Sequence, residues 1–353
     1  MKFRPDIEEV LDRQRRFFSE PGTGKILIQV EVPVHAEGES PPLEAWKFPE
    51  GWKDYMDYRI DRAEEVYERR LGIPDDTIPA IRPWFGIQEY SSFLGGDVRF
   101  SGNTSWCSPI LEGGYEGLEE LRVEDNEWFG MLLDAMAYLG ERSQGRWKMA
   151  LRGAFLPMDL ANALRGDDFF VDLMLDKENV HRLLEVCVGL VLEFCGRQLE
   201  VVRRYQEELF VAYNLWIPDD AFGHFSNDAS SMCSREIYRE FGTPYDQRVL
   251  DNFPGGGIVH LHSAGFHVLE EFLSLRNLLL LEISDDPNCP RAYDRLEEIA
   301  EAAGGVPVLV RLEPGEIREK VEVLRRGNFV VKTRAEDEDQ AREIVRFVRR
   351  IWS

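Results

Sequence analysis

The sequence predicts an α/β fold in which eight parallel strands and their crossover helices form a single (β/α)8 TIM barrel. A helix would precede the first strand, and long loops would crowd the C-terminal face. Three observations carry this expectation. Short, apolar, β-rich runs recur eight times along 353 residues, and helical periodicity fills the intervals between them. No linker, low-complexity tract or internal repeat interrupts the alternation, so residues 1–353 read as one domain, a size ordinary for a barrel. A doubly wound open sheet is the competing arrangement of the same alternation.

The apolar runs lie at 25–32, 80–87, 148–155, 209–215, 257–262, 278–284, 306–312 and 329–333. Most are continuously apolar rather than alternating, as strands covered on both faces require. The clearest helix is 177–202, where Val180, Leu184, Cys187, Val191, Phe194 and Cys195 recur at helical spacing. The others fall at about 54–71, 125–140, 235–250, 268–273, 292–303, 316–326 and 336–351. The last opens with Glu336, Asp337, Glu338 and Asp339 and closes with Arg346, Arg349 and Arg350, so its charges match both ends of the helix dipole. Segments 36–53 and 95–120, broken by proline and glycine, predict long loops of the lid or binding type, with Trp46, Trp52, Trp84 and Trp106 in or near them.

Lys and Arg number 42 against 65 Asp and Glu, a formal net charge of −23. Such a surface repels nucleic acid and anionic membranes, which leaves a small molecule as the expected substrate. A small anion remains compatible if a few arginines meet it inside a pocket. The N-terminal residues form a charged helical pattern with no secretory apolar core, and the most apolar runs are too short to span a bilayer. Five cysteines without framework spacing suggest a reducing compartment, by default the cytoplasm.

In a barrel, chemistry gathers where strands end on the C-terminal face. There the sequence offers Arg152, then Asn214, Trp216, Asp219 and Asp220, then His260 and His262. Glu282, Asp285 and Asp286 follow, then Arg311 and Glu313, and finally Lys332 and Arg334. The sharpest signal is His260-Leu261-His262, because residues two apart on a strand face the same side. Neutral imidazoles ligate zinc and related ions, and a carboxylate from the next strand, such as Glu282 or Asp286, would complete a set; His260, His262 and Asp286 are taken as the candidate metal ligands. The alternative is that these histidines only hydrogen-bond core carboxylates. His267 is a further candidate ligand.

In Asp285-Asp286-Pro287-Asn288-Cys289-Pro290, an acid before proline is also how a following helix is capped, so at least one aspartate is expected to be a cap. Cys289 is a candidate thiolate ligand, whereas Cys187 and Cys195 belong to an apolar helix face; Cys107 and Cys233 stay undecided. Gly22-Thr23-Gly24-Lys25 lacks phosphate-loop spacing, and no G-x-S-x-G or H-E-x-x-H occurs.

The stretches GAFLPMDLANALRG (153–166), NDASSMCSREIYREFGTPYDQRVLD (227–251) and HLHSAGFH (260–267) resemble the uroporphyrinogen decarboxylase superfamily. That superfamily includes the decarboxylase and methyltransferases of corrinoid-dependent systems. In the middle stretch Asp228, Ser234, Phe241, Pro244 and Tyr245 take the family's places, with Arg235 where proline is usual. Ile78-Pro79, Gly86 and Gly95 agree more loosely. The resemblance implies an eightfold barrel. It also has gaps. The Arg-Gln-Ala-Gly-Arg-Tyr element of the decarboxylases is absent, Asn162 stands where they carry a tyrosine, and Gly327-Asn328-Phe329 replaces a late Gly-His-Gly. Ala264 replaces the first cysteine of the methyltransferases' His-x-Cys-Gly zinc motif, and no cysteine follows Cys289.

The leading expectation is a metal-assisted methyltransferase, with zinc as the metal and a separate corrinoid protein as partner. Asp228, Asp219 and Glu282 are its candidate catalytic residues, and Arg152, Trp216, Tyr245, Arg311 and Arg334 its candidate substrate-binding residues. The alternative is a carboxy-lyase that uses no cofactor and acts on a tetrapyrrole or other carboxylated substrate. Asp228 or Asp219 would then stabilise developing positive charge while Arg152, Arg311 or Arg334 holds carboxylates. A third reading is a non-catalytic binding protein on the same fold.

Overall fold

The computed structural model describes residues 1–20, 22–33, 40–86, 89–123, 126–206 and 210–352. Residues 36–39 of the first expected loop, the end of the second expected strand at 87, the start of the fourth at 209 and the helix start at 125 lie outside the described residues.

The chain is a mixed α/β structure organised on a seven-stranded parallel sheet. In chain order the strands are β1 (Lys25–Glu31), β2 (Ala80–Ile81), β3 (Val98–Ser101), β4 (Thr104–Cys107), β5 (Lys148–Met149), β6 (Ala154–Phe155), β7 (Phe210–Ala212), β8 (Leu215–Ile217), β9 (Phe222–Ser226), β10 (Gly257–His262), β11 (Leu278–Ser284), β12 (Pro307–Arg311) and β13 (Asn328–Arg334). The main sheet runs β1-β13-β12-β11-β10-β9-β6, while β2 and β5 form a separate parallel pair. Among the described residues the ladders do not join into a closed ring.

Where strands stop, side chains take over the backbone bonds. Ile28 N donates to Asp76 Oδ2 and Val30 N to Asp75 Oδ2, each at 2.8 Å, so two carboxylates serve the free edge of β1. Asp75 and Asp76 are fully buried, and arginines hold both: Arg4 and Arg70 meet Asp75, and Arg13 and Arg349 meet Asp76. The expected strand at 148–155 is divided into β5 and β6. There Met149 N donates to Gln206 Oε1 at 2.6 Å and Arg152 N to Gln198 Oε1 at 2.8 Å. Buried backbone must be paired, and glutamines at and just beyond the C-terminal turns of the helix Lys177–Tyr205 supply what a neighbouring strand does not.

One expected strand is corrected. Residues 210–215 do not join the parallel sheet: β7 and β8 make an antiparallel hairpin turning at Tyr213-Asn214, both with positive φ (52° and 59°), as a two-residue hairpin turn requires. The fourth strand expected in the parallel series is instead β9, whose sequence FGHFS hides it because Gly223 and His224 interrupt the apolar run. Among the described residues of the expected strand at 80–87, only Ala80–Ile81, before Pro83, are extended in a ladder. The β3–β4 hairpin, inside the loop expected at 95–120, has no strong sequence signal.

The helices largely follow their periodicity. Ile7–Ser19 precedes β1, and Lys177–Tyr205, capped by Asp176, buries Val180, Leu184, Cys187, Val191, Phe194 and Cys195 on one face. The expected helix 235–250 is interrupted by a π-turn at Tyr238–Gly242, just before Thr243-Pro244, because proline at 244 has no N–H to continue a regular ladder. Among the described residues no helix is long and apolar enough to cross a membrane.

Candidate metal centre

Three neighbouring strands, β9, β10 and β11, end side by side, and the residues at and just after their C-terminal ends converge. On β10, His260 and His262 project to one side as their spacing demands, with ring centroids 4.6 Å apart and nearly perpendicular planes. The 3-10 turn Asp228–Met232 follows β9 and brings Asp228 over the two rings. One ligand-capable atom from each of Asp228, His260 and His262 lies within 4.8 Å of the other two. His262 Nε2 is 3.4 Å and His260 Nε2 4.0 Å from Asp228 Oδ1.

The opposite nitrogen of each ring is already taken. His260 Nδ1 is hydrogen-bonded to Glu282, its register partner on β11, and His262 Nδ1 lies 2.6 Å from Asp286 Oδ1. In the neutral ring a carboxylate at Nδ1 keeps the proton there and leaves the Nε2 lone pair outward, which is the tautomer of a ligating histidine. Glu282 is buried. Burial alone would raise its carboxyl, but the hydrogen bond from His260 and the charges of His260, Lys332 and Arg311 hold it below the usual range. Asp286 is likewise held low against the effect of burial by Ala264 N–H and by His262. Asp228 and, less strongly, Asp286 push His262 up to about 9 against the opposing effect of burial. Three carboxylates, Asp228, Glu282 and Asp286, stand around the two rings and form a local concentration of negative charge that suits a cation.

A cavity of about 290 Å³ opens beside the cluster, lined by Phe155, Asn162, Asp228, Met232, His262 and Asp286 among others. Behind Asp228 lies Asp159, from the helix Pro157–Arg165 that Pro157 starts. It accepts from Ala229 N at 2.7 Å and Ser226 Oγ at 3.0 Å. Burial and the charge of Asp228 push its carboxyl up to about 7.

The neighbouring Asp285 has the capping role: its Oδ1 accepts from Ala292 N at 2.7 Å and its Oδ2 pairs with Arg291. His267 bonds the carbonyl of Cys233 at 2.7 Å and faces away from the cluster. Cys289 is absent from it, and Cys187 and Cys195 are buried in the core.

Of the candidates drawn from the sequence, Asp228, Glu282, His260, His262 and Asp286 are brought together. Trp216 is not: the chain reverses at Tyr213-Asn214, so Trp216 runs back to pack near Phe18 and Arg15 of the N-terminal helix. Asp219 is exposed in the turn entering β9, at the end of the sheet opposite the cluster. Tyr245 sits in the helical layer with its hydroxyl 2.7 Å from His181 Nδ1. Arg311 and Arg334 end β12 and β13, and Arg152 is buried against the carbonyls of Gly86 and Gly153.

Besides Asp159, two residues the sequence did not single out adjoin the cluster. His224 (φ 108°) is the extra residue of a bulge in β9 against β10, and the bulge turns its ring inward over Gly153 to stand 5.4 Å from the His260 ring. Tyr213, at the hairpin turn, hydrogen-bonds His224 Nδ1 and lies 3.5 Å from Glu282 Oε2.

No protein-family profile and no curated protein matches the chain in sequence. In structure it is similar to a methyltransferase from Methanosarcina mazei, with a TM-score of 0.58 over 97% of this chain and 98% of that one, at 11% identity. At that identity the likeness establishes a shared fold.

Proposed function

We propose that this protein is a methyl-transfer enzyme in which Asp228, His260 and His262 hold a divalent metal, zinc being the ion the ligand set suits best, and that a separate corrinoid protein is its partner. The observation that carries this reading is the pair of histidines whose Nδ1 atoms are each bound by a carboxylate while both Nε2 atoms turn toward Asp228. The shared fold with a solved methyltransferase supports the reaction class.

The residues fit a bound cation: two nitrogens and one carboxylate are a frequent protein share of a catalytic zinc site, leaving a position for substrate. When bound, the ion supplies Lewis acidity that lowers the pKa of a substrate thiol or alcohol. The chain's own groups do the rest. Glu282 and Asp286 fix the two ring planes. Asp159, protonated up to about pH 7, is a proton reserve behind Asp228. Phe155 and Met232 border the cavity with apolar surface.

The test is elemental analysis of protein purified without chelator or polyhistidine tag, beside the His260→Ala/His262→Ala double variant. It is followed by methyl transfer from methylcobalamin to candidate thiols. The expected result is about one zinc per chain, lost in the variant, with transfer following the metal. Wild-type protein that takes up no metal when zinc is added would sink the proposal, and release of carbon dioxide by metal-free protein would favour the lyase instead.

A further inference from the structure

On a chain of net charge −23, one cavity is cationic. It measures about 440 Å³, the size of a small-molecule pocket, and among the described residues no carboxylate lines it. Arg59 reaches it from the helix Trp52–Arg69, Arg82 from the segment after β2, Arg311 from the end of β12 and Lys332 from β13.

Arg311 and Lys332 are register partners on adjacent parallel strands, so two positive charges stand side by side. Burial, and after it Arg311, push the Lys332 ammonium down to about 8, with Glu282 opposing. Arg59 is anchored by Trp84 O and Tyr55 Oη at 3.3 Å each, bonds that aim the guanidinium without neutralising it. The Glu31 carboxylate lies 3.6 Å from Arg311, both half-exposed, a pairing of small worth. His224 adds no further positive charge, since burial and then its cationic neighbours favour the neutral ring. Concave sites lined by one sign of charge concentrate ligands of the other sign.

We infer that this cavity binds a small ligand through a compact dianionic oxyanion group, phosphoryl or paired carboxylate, held by Arg82, Arg311 and Lys332. Guanidinium forks suit the flat edge of such a group, and the ammonium adds a point charge. Tyr213, His224 and Glu282 stand between this cavity and the Asp228 cluster, so the binding does not depend on the metal reading.

Isothermal titration of the full chain, stripped of metal by chelator, with inorganic phosphate and with malonate at fixed ionic strength tests the inference. One of the two should bind with Kd of about 1 mM or tighter, and K332M and R82Q should each weaken it by about tenfold or more. Tighter phosphate identifies a phosphoryl ligand, tighter malonate a dicarboxylate. H262A should bind as wild type does, which keeps this result separable from any failure of the metal site. Binding of neither anion, retention of full affinity in both K332M and R82Q, or loss of binding in H262A would each overturn it.

Discussion

His262 faces two aspartates with its two nitrogens: Nε2 is 3.4 Å from Asp228 and Nδ1 2.6 Å from Asp286. The sequence suggests Asp286 as a ligand and Asp228 as a catalytic residue; in the proposed site Asp228 is the ligand and Asp286 the partner behind His262. The prediction is graded. Asp286→Asn should keep one metal per chain with affinity reduced about 10–100-fold, as for loss of a partner behind a ligand. Asp228→Ala should cost more than that. Competition with a chromophoric chelator measures both, and an Asp286→Asn protein devoid of metal beside a metal-replete Asp228→Ala would reverse the assignment.

Asp246 is fully buried, accepts from Tyr238 Oη at 2.7 Å and Asn227 Nδ2 at 2.8 Å, and is pushed up to about 7 by burial. A carboxyl with a raised folded-state value binds its proton more tightly when folded. Stability attributable to it is therefore fully present below about pH 4, the unfolded value, and falls as pH rises toward 7. Asp246→Asn should flatten that part of the stability curve, and urea midpoints of both proteins between pH 5 and pH 8, a range set by the same linkage, would reveal it. Parallel curves would show that Asp246 is ionised in the fold.

Asp76 is expected to be among the costliest side chains to remove. Asp76→Ala would strand Arg13 and Arg349, paired to it at 2.9 and 2.6 Å, and free the buried Ile28 N–H. A loss of about 3–5 kcal/mol follows from breaking a buried ion pair on one side. Denaturant titration measures it, and a loss below about 1 kcal/mol, the range of surface pairs, would mean that the edge of β1 finds other partners.

At Gly153 an added Cβ would fall 2.3 Å from the His224 ring. Gly153→Ala should therefore displace His224 and loosen its bond to Tyr213, costing about 1–3 kcal/mol as overpacking does. Thermal denaturation gives the cost, and the imidazole proton resonances of His224 report the displacement. Unchanged resonances would place the ring elsewhere.

Strands at 257–262, 278–284 and 306–312 were readable because each is built on adjacent branched apolar residues, Ile258-Val259, Leu278 to Leu281 and Val308 to Val310, of the kind that buried parallel strands carry. So were the long helix from 177 and the last helix, through periodicity and capping aspartates. β9 was hidden, since a bulge and an inward histidine break its pattern, and the hairpin at 210–217 was mistaken for it because antiparallel and parallel pairing look alike in a short apolar run. That one exchange also misplaced Trp216 and Asp219.

The sequence by itself determined the alternating α/β class and the pairing of His260 with His262 on one face, because both follow from local periods of the backbone. Which carboxylate meets which ring nitrogen, the bulge that turns His224 inward, the glutamines and aspartates that replace missing strands, and the gathering of four cations in an acidic chain were decided only by tertiary structure. Each depends on the register between strands remote in sequence, and register is set by packing across the sheet rather than by any local pattern.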